Sequence, residues 1–280
     1  MIALTVLFSS PALADDAAPP PDKSQYTLFN PVPDDQMRSF ATDRPTKSDS
    51  PYTVDAGHFQ YEADLVNWTY DHTNATHTTT SNILVADPTL KAGLTQNTDL
   101  EVALAPLNFN QSRVAGVDNT ASGFGDIYTR VKFNLLGNDS GDYALAIVPY
   151  VKAPTAAHNV GNNHWEGGGY VPFTAALPAD WTLSITSEVD ILENAALNGD
   201  HANFQNLINF GHPVFTPALT GYVEFWSDVN NDVNTPTQYT ADFALAWLAK
   251  DNLQLDCGIN VGLNKAANDL QPYLGISQRF

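Results

Sequence analysis

The chain has 280 residues, with 12 Lys and Arg against 31 Asp and Glu and a formal net charge of −19. A charge of that sign excludes nucleic acid as a partner, because neutralising phosphates needs a basic surface. A single cysteine, Cys257, excludes an intramolecular disulfide, and the length suits one β-barrel domain, which can run to about 200–250 residues.

Residues 1–14, MIALTVLFSSPALA, form a short apolar run ending in the small-x-small pattern Ala12-Leu13-Ala14, followed by Asp15 and Asp16. This reads as a signal peptide and so predicts export. The run lacks the positively charged start usual for such peptides and is too short to span a bilayer as a helix. No other segment offers about 18 consecutive apolar residues, so no transmembrane helix is expected. Residues 15–57 are rich in Pro and Asp without sustained periodicity and read as an irregular periplasmic leader or a plug.

From residue 58 to residue 280 the pattern becomes a period of two. In NLQLDCGINVGLN, Leu253, Leu255, Cys257, Ile259, Val261 and Leu263 alternate with Asn252, Gln254, Asp256, Gly258, Asn260 and Gly262. The same rule orders DIYTRVKFNLL and WTLSITSEVDI. Alternation predicts strands with one apolar and one polar face. The runs last about 10–14 residues, longer than the usual soluble strand of about 5–6 and long enough to cross hydrocarbon at a tilt. Strands are expected at 58–71, 80–95, 98–110, 125–137, 142–153, 168–178, 180–193, 202–213, 217–229, 236–249, 252–264 and 268–280. That is about twelve, joined alternately by short turns and longer polar loops. An all-β, transmembrane, antiparallel up-and-down barrel is the fold this rhythm predicts, with short turns and both termini on the periplasmic side. The terminal Phe280, on an amphipathic last strand, has the form of an assembly signal read by the barrel assembly machinery; the other expected partner is outer-membrane lipid.

Three passages carry a resemblance to a known family: TDRPTKSDSPYTVDAGHFQYE at 42–62, PTLKAGLTQNTDLEV at 88–102 and GFGDIYTRVKFNLLG at 123–137. In the first, Asp43-Arg44-Pro45, Ser50-Pro51, Thr53-Val54, Gly57 and Gln60-Tyr61-Glu62 follow the family's order and spacing. The chain thus resembles the outer-membrane family named for the meta-pathway of phenol degradation, whose members are often called transporters. The resemblance implies a barrel of this size in a bacterial outer membrane and a transport role inferred from catabolic context.

If the apolar faces meet lipid, the polar faces line a lumen. The cationic lumen candidates are Lys91, Arg130, Lys132, Lys152 and Arg279. The anionic ones are Glu62, Asp64, Glu101, Asp126, Glu188, Asp190, Glu224, Asp242 and Asp256. Two readings stand: a structural network paired across a narrow interior, or determinants of solute selectivity. Glu188-x-Asp190 and Glu62-x-Asp64 each put two carboxylates side by side, and Arg130 and Lys132 on another wall are the expected partners of the first pair. Asp43, Arg44 and Pro45 are plug candidates, with Arg44 pairing to lumen carboxylates and Pro45 stiffening the chain.

Other motifs are weaker. Asp228, Asn230, Asp232 and Asn234 lack the Gly and distal Glu of a calcium loop, and His72 and His77 have no companions to complete a metal site. No metal and no cofactor are expected. No strand presents a Ser and a His together, as an outer-membrane lipid hydrolase would need. Tyr70, Trp165, Tyr170, Trp181, Trp226 and Trp247 sit near strand ends and are expected to anchor at lipid headgroups. The reading is a non-enzymatic channel for passive uptake or efflux of small aromatic or hydrophobic solutes; a structural or adhesive barrel without transport, or an outer-membrane lipid hydrolase, is the alternative. The residues do not name the solute.

Overall fold

A computed structural model of the chain describes residues 22–75, 77–233 and 235–280. The expected signal peptide and the first residues of the leader lie outside them. Fourteen strand segments follow one another: β1 Phe59–Asp71, β2 Thr79–Thr95, β3 Thr98–Ala103, β4 Leu107–Val114, β5 Val117–Gly123, β6 Ile127–Leu136 and β7 Tyr143–Ala153. The rest are β8 Glu166–Ala176, β9 Thr182–Glu193, β10 Asp200–Pro213, β11 Leu219–Asn230, β12 Gln238–Lys250, β13 Leu253–Gly262 and β14 Leu270–Arg279. All neighbours are antiparallel, and β1 pairs with both β2 and β14, which closes the sheet on itself. No helix among the described residues is long and apolar enough to cross a membrane.

One expected strand, 98–110, is divided, and the one expected at 125–137 gains a separate first part, β5. The pairs β3 with β4 and β5 with β6 each continue one crossing after an interruption of three residues, so fourteen segments make a barrel of twelve crossings. The long loop expected after residue 110 is instead the β4–β5 hairpin, turning at Ala115 and Gly116, both at positive φ (50° and 83°). Two consecutive residues of that kind form the tight turn that matches strand twist. The interruptions follow from Pro106, which has no N–H to give to a ladder, and from Gly125, whose N–H reaches the Ala105 carbonyl at 2.7 Å across the gap. Beyond it β5 pairs only with β4. The loop between β7 and β8 folds beside it, with Ala157 donating to the Phe124 carbonyl at 2.7 Å.

The burial pattern is inverted relative to a water-soluble protein. Phe243, Leu245, Trp247, Val223, Phe225 and Ile208 stand exposed on the outer face, while Lys132, Glu101, Asp99, Asp190 and Glu224 are buried inside. Large apolar side chains in water would be covered and charges left outside. Here the outer face is apolar because hydrocarbon covers it, and a closed barrel leaves no strand edge around most of its circumference. Trp165, Trp181 and Trp247 project outward as expected of headgroup anchors, and Trp68 does so too. Tyr170 and Trp226 do not: Tyr170 is 4% exposed and Trp226 lines an interior pocket, because each shares strand parity with an inward residue, Trp226 with Glu224.

Candidate functional site

The interior is occupied by residues 38–58, which lead into β1. Contacts of this segment reach β1, β2, β6, β10, β11, β12 and β13, so it crosses the barrel from wall to wall. Its outer neighbour, residues 22–37, includes one 3-10 turn at Asp34–Gln36 and lies under the rim that carries the short turns.

Three charged residues of the segment are each seated on the wall. Asp43 lies between two ammonium groups: its carboxylate accepts from Lys132 Nζ at 2.7 and 3.0 Å and from Lys91 Nζ. Behind them, Lys91 also pairs with Glu62 at 2.5 Å and Lys132 with Glu101 at 3.2 Å, and all four wall residues are buried. Arg44 spans two carboxylates, Asp64 on β1 at 2.6 Å and Asp256 on β13 at 2.7 Å. Between them on β14 lies Gly275, paired in register with both. A Cβ there would meet the Arg44 guanidinium nitrogens, so glycine opens the slot that the guanidinium fills. Pro45 is buried and joined to Arg44 by a cis peptide bond. Lys47 pairs with Asp242 at 2.9 Å, donates to Thr240 Oγ1 at 2.8 Å and lies 4.3 Å from the centre of the Trp226 ring.

Wall carboxylates also hold the segment's backbone. Glu62 accepts the N–H groups of Asp43 (2.9 Å) and Arg44 (3.0 Å), and Glu224 those of Lys47 and Ser48 (both 3.0 Å). Asp99 accepts Val54 N–H at 2.9 Å, and Asn134 donates to the Pro51 carbonyl at 2.9 Å. These bonds satisfy backbone donors, and one carbonyl, that the irregular chain cannot satisfy itself. The Val54–Asp55 backbone rests on Gly93 of β2, where no side chain intervenes. His58 bridges the Val32 carbonyl (Nε2, 2.7 Å) and the Phe280 carbonyl (Nδ1, 3.1 Å).

A second set of contacts clasps the segment at the short-turn rim. Lys23 reaches Asp55 at 3.1 Å and Asp139 of the β6–β7 turn at 2.7 Å, while Arg38 donates to Asp139 at 3.0 Å. Burial opposes ionisation of Asp139, but the Lys23 ammonium and the Arg38 guanidinium hold its carboxyl below the usual range. Arg279, 3.7 Å from Asp55, stacks over Phe40 with 5.6 Å to the ring centre. A cavity of about 680 Å³ opens between these groups.

The remaining sequence candidates form separate clusters. Lys152 pairs with Asp126 at 3.2 Å and Glu166 at 2.7 Å near the β7–β8 loop. The expected pairing of Glu188 and Asp190 with Arg130 and Lys132 does not form. Strands β7 and β8 separate the two walls, and Lys132 is taken by Asp43 and Glu101. Asp190 instead accepts from Tyr150 Oη (2.5 Å), Gln205 (3.0 Å) and Asn203 (3.2 Å). Arg130 has no ion pair of its own among the described residues, and its Nε lacks a hydrogen-bond partner. Phe280 is exposed, and its N–H donates to the Phe59 carbonyl at 2.8 Å where the barrel closes. Among the described residues no group of three or more His, Cys, Asp or Glu could hold a metal ion. Sequence reasoning missed Lys47, Asp99, Asp139, Glu166 and Trp226; Trp226 and Asp99 carried a usable signal, their parity with Glu224 and Glu101.

A closed antiparallel barrel, apolar outside and charged inside, is an outer-membrane β-barrel. Residues 42–280 match the family described as the MetA-pathway of phenol degradation, and the chain belongs to that family. An outer membrane channel from Pseudomonas putida F1 has the same fold, with 13% identity, a TM-score of 0.58, and coverage of 86% of this chain and all of that one. The translocator domain of the autotransporter NalP from Neisseria meningitidis is similar at 9% identity and a TM-score of 0.51, over 79% of this chain and 88% of that one. The β domain of the Bordetella autotransporter BrkA has 11% identity and a TM-score of 0.51, over 80% and 99%. No curated protein sequence matches the chain. Neighbours that include a channel and two autotransporter domains share a fold and not a task.

Proposed function

We propose that the protein is a passive outer-membrane channel for small solutes, occluded at rest by its own segment 38–58 and opened when that segment leaves the lumen. The observation that carries this reading is the seating of Asp43, Arg44 and Lys47 on wall charges by bonds that are individually reversible. A segment meant only to stabilise the barrel would gain more from apolar packing, since replacing buried ion pairs by hydrophobic contacts is often neutral or stabilising. Charged anchors suit a part that must come away into water. The inward rings of Tyr150, Tyr170, Trp226 and Tyr273 favour small aromatic solutes over purely aliphatic ones.

The test is single-channel conductance in a planar bilayer, comparing the refolded full chain with one lacking residues 15–50. Severalfold larger steady conductance in the shortened chain is expected. Equal conductance would refute occlusion, and a folded but silent barrel in both would refute the channel.

A further inference from the structure

The outer half of the lumen contains a pocket of about 250 Å³, lined by Lys47, Glu188, Gln205, Trp226 and Asn260 among others. Its polar lining joins one carboxylate, Glu188, to side-chain amides that both donate and accept. Asn260 is 6% exposed; its Nδ2 donates to Gln271 at 2.9 Å, and its buried Oδ1 has no hydrogen-bond partner among the described residues. Glu188 has no ion pair among them. The Trp226 ring is fixed by a bond from Nε1 to Gln205 Oε1 at 3.0 Å, so its face is held toward the pocket. The ammonium of Lys47 occupies that face, 4.3 Å from the ring centre and 2.9 Å from Asp242.

An aromatic face that already holds an ammonium ion, with the buried Asp242 carboxylate paired to that ion, forms a receptor for a cation that carries N–H donors. An anion is disfavoured, because it would meet carboxylates, Asp242 beside Lys47 and Glu188 in the lining. Lys47 belongs to the segment and not to the wall, so its ammonium can leave with the segment while the receptor stays. We propose that this pocket binds small organic ammonium ions arriving from the outer face, and that Lys47 is a tethered occupant which such a ligand displaces. The inference rests on the reading of the barrel as a solute channel and names a class of solute for it.

Benzylammonium binding to the full-length protein in detergent, measured by titration calorimetry beside benzyl alcohol and benzoate, tests it. The Lys47→Gln variant, which removes the competitor, is expected to bind benzylammonium about tenfold more tightly than the native chain. Adding Trp226→Leu should reverse that gain, and the neutral and anionic analogues should bind more weakly than benzylammonium throughout. Binding unaffected by Lys47→Gln, or equal binding of benzoate or benzyl alcohol, would overturn the proposal. Should Lys47→Gln fold poorly, Glu188→Gln in the native chain must weaken benzylammonium binding, and unchanged affinity would overturn it equally. Calorimetry does not depend on conductance: binding by a silent barrel would refute the channel alone, and a conducting barrel without binding would refute the site alone.

Discussion

Asp43 owes its place to two lysines that would otherwise face each other in a space shielded from water. Lys91 retains Glu62 and Lys132 retains Glu101 without it, but the carboxylate between them completes the network. Removing it forfeits charge-assisted hydrogen bonds to both ammonium groups, at a cost of about 1.5–3 kcal/mol. Asp43→Asn is therefore expected to weaken docking of the segment by that order, read in bilayer recordings as more frequent openings at fixed voltage, with the barrel still folded. Asp139 supplies a different kind of anchor, at the short-turn rim and partly open to solvent. Its carboxyl is held below the usual range by Lys23 and Arg38. The stability this clasp adds is present above the ordinary carboxylate pKa and is lost as pH falls through the lowered value. Hydrogen exchange of residues 22–38 should thus accelerate on acidification, and Asp139→Asn should show the fast exchange already at neutral pH.

At the scale of elements, glycine decides where the segment can lie. Gly275 on β14 makes a slot between Asp64 and Asp256, and the Arg44 guanidinium fills the space a methyl group would take. Gly275→Ala is expected to expel Arg44 and leave two carboxylates facing, loosening the segment by about 3 kcal/mol; increased open probability without loss of heat-stable mobility on gels would show it. The β7–β8 loop depends on Lys152, which holds Asp126, Glu166 and Asn162 together beside the interrupted crossing. Lys152→Gln should cost the loop about 2 kcal/mol of local stability and speed hydrogen exchange in residues 154–165 alone. Most of the strands were legible in the sequence because membrane strands must alternate over about ten residues, a constraint no loop obeys. The divided crossings were less legible, since the outward face switches from even to odd positions at Pro106 and switches again at Gly125, and each change of phase reads in a short window as the end of a strand. The anchors of the segment were legible only as residue types. Arg44 and Asp256 are 212 positions apart, and nothing local in the sequence records which strands a closing barrel brings together.

For the whole molecule, charge decides what an opened channel would pass. The segment contributes Arg44 and Lys47 to the lumen, and these answer Asp64, Asp256 and Asp242, while Glu224 holds the backbone beside Lys47. When the segment leaves, those four carboxylates lose their partners. Lys91 and Lys132 lose only Asp43 and keep Glu62 and Glu101. The segment as a whole carries three cations and three anions, but the wall patch of Asp64, Asp242, Asp256 and Glu224 faces only its cations and turns more negative on opening. Fixed charges on a narrow wall act on passing ions over about one Debye length, roughly 30 Å at 0.01 M salt and about 3 Å at 1 M. The chain lacking residues 15–50 should consequently be cation-selective in reversal-potential measurements across a salt gradient, strongly in dilute potassium chloride and weakly near 1 M. Replacing Asp64, Asp242 and Asp256 together by Asn should abolish most of that selectivity. Anion selectivity in the shortened chain would mean instead that Lys91, Arg130 and Lys132 govern the open lumen, and that the carboxylates serve only to seat the segment.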